Sequence, residues 1–130
     1  TLAAIQLHGH ETEEYVRQLK ERTSVPIFQA FRVTDRKSLL PALQSPADLI
    51  LLDHGAGGTG KTFDWSVLGG ITRPYILAGG LGPDNLESAI STLHPWGVDM
   101  SSGVETDGVK DREKIWKAVQ IAHKYAAIHD

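Results

Sequence analysis

Residues 49–65 read Leu49-Ile-Leu-Leu-Asp53-His-Gly-Ala-Gly-Gly-Thr-Gly-Lys-Thr-Phe-Asp-Trp65, an apolar run that ends at a carboxylate and enters a glycine-rich loop. An uninterrupted apolar run of this kind is typical of a strand that is buried on both faces of a parallel sheet. Proteins of the α/β class place their chemistry at the carboxyl ends of such strands. Asp53 is therefore the first candidate functional residue.

The rest of the chain alternates strand and helix signals on both sides of this stretch. The predicted strands are 3–7, 25–33, 48–53, 74–78 and 96–100, and their first residues lie about 22 to 26 residues apart. A helical pattern follows each strand, and such a regular period indicates βα units with parallel strands. In the last helix, which follows Asp111, we expect four apolar residues to face the sheet: Ile115, Val119, Ala122 and Ala126.

Each predicted strand ends in a polar or glycine-containing cluster: His8-Gly9, Arg32, Asp53, Gly79-Gly80 and Ser101-Gly103. An open doubly wound sheet uses only one or two such loops, at its switch point, whereas a (β/α)8 barrel gathers them all at one face. The barrel is therefore favoured. Because five βα units cannot close eight strands, we predict that residues 1–130 form a single, incomplete TIM-barrel domain.

The amino-acid composition argues against several classes of protein. The 130 residues carry a net charge of −3 and mixed signs throughout, which predicts no nucleic-acid or membrane partner. No apolar run reaches the ~18 residues of a membrane span. The absence of cysteine excludes disulfides and thiolate metal sites and suits a cytoplasmic protein. The six histidines show no metal-ligand spacing, so no metal is expected.

Several longer motifs together resemble phosphoribosylanthranilate isomerase, an enzyme of tryptophan biosynthesis. They follow the family's order and spacing over nearly the whole chain: Gln6-Leu-His-Gly9, Leu52-Asp53, Gly57-Gly-Thr-Gly-Lys-Thr-Phe-Asp-Trp65, Leu77-Ala-Gly-Gly-Leu81 and Val98-Asp-Met-Ser-Ser-Gly-Val-Glu-Thr-Asp-Gly-Val-Lys-Asp111. The resemblance implies a (β/α)8 barrel of which this chain is units four to eight. It also implies an Amadori rearrangement that needs no cofactor. The family's cysteine base and an anthranilate-binding arginine belong to the first three units, which have no counterpart here.

The resemblance also implies roles for individual residues. Asp53 matches the family's general acid, and Asp99 matches a substrate contact, although a buried structural aspartate is an alternative at position 99. Backbone N–H groups of two glycine- and serine-containing clusters can bind the substrate phosphate without a lysine: Gly79, Gly80, Ser101, Ser102 and Gly103. We expect the chain alone to be inactive. We also expect it to associate with itself or with a complementary N-terminal barrel fragment.

Two alternatives compete with this interpretation. Residues Gly55 to Thr62 match the P-loop pattern G-x-x-x-x-G-K-[ST], which would bind nucleotide phosphates and contact them with Lys61. A P-loop needs a long helix directly afterwards, whereas Asp64 is the predicted cap of a brief helix that Gly69-Gly70 ends. The third possibility is a non-catalytic module that only associates with a partner.

Overall fold

The computed structural model describes residues 1–54 and 65–129. The strands are β1 (Ile5–Leu7), β2 (Ile27–Arg32), β3 (Leu49–Asp53), β4 (Tyr75–Ala78) and β5 (Gly97–Val98). The helices between and after them are α1 (Glu13–Arg22), α2 (Arg36–Gln44), α3 (Leu86–Leu93) and α4 (Arg112–His129), with short 3-10 turns at Trp65–Leu68 and Ser102–Val104. No helix in the described ranges combines the length and the apolar character that crossing a membrane requires. The predicted P-loop, and the predicted cap Asp64, lie outside the described residues.

The five strands form one parallel sheet in the order β1-β2-β3-β4-β5. This order confirms the predicted run of βα units with parallel strands. A doubly wound sheet would reverse its strand order at a switch point, whereas consecutive order is the topology of a barrel wall. Pairing places Arg32 of β2 beside Asp53 of β3, and Asp53 beside Ala78 of β4. The carboxyl ends of these strands therefore meet at one edge of the sheet.

Successive side chains along each strand lie on opposite faces of the sheet. Ile50, Leu52 and Leu77 belong to the large cluster that the helices cover. Leu51 and Ala78 pack together with Ala30 in a smaller cluster on the other face. Because neighbouring side chains in a strand point to opposite faces, Asp53 follows Leu51 onto this second face.

Local hydrogen bonds account for the positions of α1 and α2. Thr12 caps α1 by accepting a bond from the backbone N–H of Tyr15 at 3.1 Å. Asp35 and Ser38 form a capping box at the start of α2, in which the Ser38 N–H donates to Asp35 Oδ1 at 2.7 Å. Each bond satisfies a backbone donor that the first helical turn leaves without a partner in the helix.

Arg73 joins the end of α2 to the strand β4. Its guanidinium donates to the carbonyl oxygens of Ala42 at 3.1 Å, Ser45 at 2.9 Å and Ala47 at 3.1 Å. Burial lowers the pKa of Arg73 from its ordinary value. A cation at this place satisfies carbonyl groups that the helix end leaves open and interacts favourably with the helix dipole.

The predicted inner face of α4 is wrong. Ile115 is 39% exposed and Val119 is 43% exposed, whereas Ala118 is buried at 1% and Tyr125 packs against the core with it. The helix carries two adjacent apolar stripes, and the position of α3 decides which of them is covered. Helical periodicity alone does not distinguish the two stripes.

An antiparallel hairpin that was not predicted from the sequence precedes α4. Its strands are β6 (Glu105–Thr106) and β7 (Val109–Lys110). Asp107 and Gly108 form its turn with positive φ angles of 54° and 78°. An Asp-Gly pair between two extended pairs is a recognised hairpin signal, so this element was open to prediction from the sequence.

Candidate functional site

A cavity of about 280 Å³ lies at the carboxyl ends of β2 to β5. Six of the seven predicted site residues line it, together with Arg32 and Ala78: Asp53, Gly79, Gly80, Asp99, Ser101 and Ser102. They come from three different strand ends, and the parallel pairing of β3, β4 and β5 brings them together. The arrangement is one acidic strand end with two polar loops next to it on the same side of the sheet.

Asp53 is the last residue of β3 and is half-buried. Its backbone carbonyl accepts a hydrogen bond from the N–H of Val33 at 2.8 Å. Strand pairing on both sides, with Arg32 on β2 and Ala78 on β4, fixes the backbone at this position. The carboxylate is therefore held at the cavity wall by a rigid strand rather than by a loop.

The loop after β4 turns at two glycines. Gly79 and Gly80 have φ angles of 94° and 65°, which side chains rarely tolerate. The side chain of Asn85 closes the loop: its Oδ1 accepts from the Gly82 N–H at 2.8 Å and its Nδ2 donates to the Gly80 carbonyl at 3.0 Å. Asn85 was not among the residues predicted from the sequence, although an asparagine just before a helix is a known turn-forming residue.

The loop after β5 presents Asp99, Ser101 and Ser102. The Asp99 N–H donates to the Leu77 carbonyl at 2.9 Å and so continues the pairing of β5 with β4. All three residues are exposed, so the alternative of a buried structural aspartate at position 99 is wrong. Asp99 is thus an exposed residue of the cavity lining.

Gly103 does not line this cavity. It borders a neighbouring cavity of about 270 Å³ together with Gly80, Asn85, Lys114 and Lys117. A Cβ atom at position 103 would lie 1.7 Å from the carbonyl oxygen of Leu81. The residue is therefore glycine because the loops after β4 and β5 touch through their backbones at this position.

Replacing Gly103 with alanine is expected to lower the free energy of unfolding by about 3 kcal/mol or more, since the added methyl group meets backbone atoms that cannot move aside. Urea unfolding of the variant measures this loss. Gly97→Ala is the matched control, because its new Cβ would lie 3.6 Å from the Ile76 side chain, an ordinary contact. Equal stabilities for the two variants would contradict the close approach.

Arg32 is the basic residue of the cavity lining. It ends β2, is exposed, and pairs in register with Asp53. Arg32 was predicted to end a strand and was given no functional role. With Asp53 and Asp99 it makes the cavity wall mixed in charge, so an anionic ligand has one guanidinium and the loop N–H groups to approach.

The rest of the described surface holds fewer candidate functional groups. A larger groove of about 620 Å³ includes His94, Trp96 and His123, and it lies at the amino end of β5, away from Asp53. Within residues 1–54 and 65–129, no group of three histidine, aspartate or glutamate side chains is arranged to hold a metal ion.

Comparison with known proteins places these features in a family. The model of the N-(5′-phosphoribosyl)anthranilate (PRA) isomerase family matches residues 1–121. The chain is 45% identical over 125 residues to the N-(5′-phosphoribosyl)anthranilate isomerase of Endomicrobium trichonymphae, an alignment that covers 93% of this chain and 61% of that protein.

Solved structures of the same name resemble the fold described above. The phosphoribosyl anthranilate isomerase of Thermotoga maritima superposes with a TM-score of 0.78 at 38% identity, over 95% of this chain and 62% of that one. A phosphoribosyl anthranilate isomerase in complex with reduced 1-(o-carboxyphenylamino)-1-deoxyribulose 5-phosphate gives 0.78 at 37%, over 95% and 60%. The chain thus spans about three fifths of the length of these relatives.

Proposed function

This chain belongs to the N-(5′-phosphoribosyl)anthranilate isomerase family, and from that premise we propose that it supplies the general acid and the phosphate site of this isomerase in tryptophan biosynthesis. One observation carries the proposal. The cavity at the carboxyl ends of the strands places Asp53 beside the Gly79-Gly80 loop and the Ser101-Ser102 loop.

The proposed reaction converts an aminoaldose into an aminoketose. An acid protonates the ribose ring oxygen as the bond from C1′ to that oxygen breaks, and the nitrogen lone pair forms a C=N bond. A base then removes the proton from C2′, and the resulting enol rearranges to the ketone. Proton transfer by positioned side chains is sufficient for this sequence, so no cofactor is needed.

Asp53 is the proposed acid because of its place in the sheet. The carboxylate stands at the end of a paired strand, half-buried, in the cavity wall. A rigid strand end keeps such a group at a constant position relative to the substrate, which general acid catalysis requires. Asp99, which is exposed on the same wall, is the proposed substrate contact.

The two loops are the proposed phosphate site. They follow β4 and β5, one and two strands away from Asp53, which corresponds to about 5 to 10 Å. That separation suits a pentose whose ring is at Asp53 and whose phosphate is at the loops. The complex of a relative with a reduced, phosphorylated ligand supports a phosphorylated substrate. Gly103 contributes by letting the two loops meet rather than by lining the cavity.

The base is proposed to come from a part of the barrel outside these 130 residues, because the chain contains no cysteine. Three further βα units would pair with the edge strands β1 and β5 and complete the eight-stranded barrel. The exposed apolar stripe of α4, formed by Ile115, Trp116 and Val119, supports a missing neighbour on that side. The cytoplasm is the proposed compartment, on the grounds of composition.

A titration with the reduced product analogue tests the proposed function. We expect backbone amide shifts in NMR spectra at Gly80 and Ser102, at the cavity described above, and not at residues 55–62. If magnesium-ATP instead binds at micromolar level and Lys61→Ala abolishes that binding, the P-loop alternative is correct. If neither ligand binds, the chain is the non-catalytic association module.

A further inference from the structure

Lys110, at the end of the hairpin, reaches back to the loop after β5. Its ammonium group donates to the Ser101 carbonyl at 3.0 Å and to the Ser101 hydroxyl at 3.2 Å, and it forms an ion pair with Glu105. We infer that Lys110 is a positioning residue that orients the Ser101–Ser102 peptide so that the Ser102 N–H faces the bound phosphate. The inference rests on the proposed function and adds a residue to its phosphate site.

Peptide geometry connects the lysine to the cavity. In a trans peptide the carbonyl of one residue and the N–H of the next point in opposite directions, and the described residues contain no cis peptide. Lys110 and the N–H of Val104, at 3.2 Å, hold the Ser101 carbonyl on the hairpin side. The Ser102 N–H is thereby turned to the opposite side, where Ser101 and Ser102 line the cavity.

Hydrogen bonds to the start of α4 fix the hairpin and so hold Lys110 in place. Thr106 donates to Asp111 Oδ2 at 2.6 Å, and Lys114 donates to the Glu105 carbonyl at 2.7 Å. Asp111 also accepts from the backbone N–H of Glu113 at 2.9 Å, at the first turn of α4. Lys110 is therefore anchored to the longest helix, and its position does not depend on the short hairpin alone.

A lysine suits this role for two physical reasons. Its ammonium group has three donors, which matches two oxygens of Ser101 and one of Glu105. It also places a positive charge directly behind the proposed anion site. The side chain is 53% exposed, so salt screens this charge effect, whereas the hydrogen bonds to Ser101 persist in salt. The phosphate site was predicted to need no lysine. In the proposal, Lys110 supports that site by binding its loop rather than the phosphate.

Binding experiments on the 130-residue chain test the inference, with inorganic phosphate and the reduced product analogue as probes. We expect Lys110→Met to weaken binding of both probes about tenfold, because a charge-assisted hydrogen bond is lost. The loss should persist in high salt, and the Ser102 amide resonance should shift in the free protein. Lys110→Arg should restore most of the affinity, and a dephosphorylated analogue should bind the wild type and Lys110→Met equally.

Two lysines serve as matched controls. Lys117 borders the neighbouring cavity beside Gly103, so Lys117→Met removes the same charge near the loops without touching Ser101. Lys124 forms an exposed ion pair with Glu87 at 3.4 Å on the far part of α4. Phosphate affinity should stay within about twofold in both variants, since neither lysine is bonded to Ser101 and salt screens the charge of exposed side chains. An equal loss in Lys117→Met would overturn the inference in favour of simple charge attraction.

The remaining outcomes separate the inference from the function on which it rests. If the wild-type chain binds neither probe, the proposed phosphate site itself is wrong. If the wild type binds and Lys110→Met binds equally well, only the role of Lys110 is overturned. Should Lys110→Met fail to fold, Lys110→Gln decides, because a neutral amide keeps a polar side chain and loses the charge-assisted bonds to Ser101. Its phosphate affinity should fall about tenfold, and an affinity within about twofold of the wild type would overturn the role of Lys110.

Discussion

The 130-residue chain assayed alone should show no isomerase turnover, and turnover should appear when a polypeptide carrying three further βα units is added. The proposed general acid and the proposed phosphate loops are on this chain, but it has no cysteine to act as the base. Among the described residues, β1 and β5 are the two edges of the sheet, and added strands can pair with such edges. The complement should therefore supply both the proposed base and the three strands that an eight-stranded barrel would still need.

Turnover with and without the complement, together with the mass in solution, measures this prediction. A complement whose strand-end cysteine is replaced by serine is the matched control, which should associate with the chain and restore no turnover. Without a complement, the exposed side chains of Trp116 at 64% and Trp96 at 66% favour self-association. A monomer that isomerises substrate unaided would contradict both the placement of the base and the incomplete barrel.

In the completed enzyme, Asp53→Asn should lower kcat by ~10²–10⁴ while the reduced product analogue still binds within a few-fold. Asparagine is nearly isosteric with aspartate, so the half-buried strand end keeps its packing and loses only the acidic proton. Steady-state kinetics and an equilibrium titration separate the two effects. The loss is expected in kcat because the proposed acid protonates the ring oxygen as the bond from C1′ to that oxygen breaks.

Asp99→Asn provides the comparison for this variant, because it removes the other carboxylate of the same cavity. As a proposed substrate contact, Asp99 should affect KM more than kcat. Near-normal turnover of Asp53→Asn would remove Asp53 from the mechanism. A large rise in the dissociation constant of the analogue would instead make Asp53 a binding residue.

Strand positions and the location of the site followed from local patterns. The apolar run from Leu49 to Leu52 can be buried on both faces only in the middle of a sheet. Asp53, which follows this run, therefore had to stand at a strand end. The constant strand spacing required parallel pairing, and parallel pairing collects the carboxyl ends at one edge. Gly79, Gly80, Ser101 and Ser102 follow the next two strands, so they meet at the cavity of Asp53.

Residues whose role depends on contacts between distant segments could not be assigned in this way. The covered stripe of α4 depends on where α3 lies, so Ala118 is buried and Ile115 is not. The need for glycine at position 103 arises from the Leu81 carbonyl of another loop, and the bonds of Lys110 to Ser101 arise from the fold of the hairpin. The sequence alone thus determined the five strands of the parallel sheet and the residues at their carboxyl ends, because periodicity and chain direction are local properties. Only the tertiary structure decided which side chains support the proposed phosphate loops, because that depends on distances between segments that no local pattern encodes.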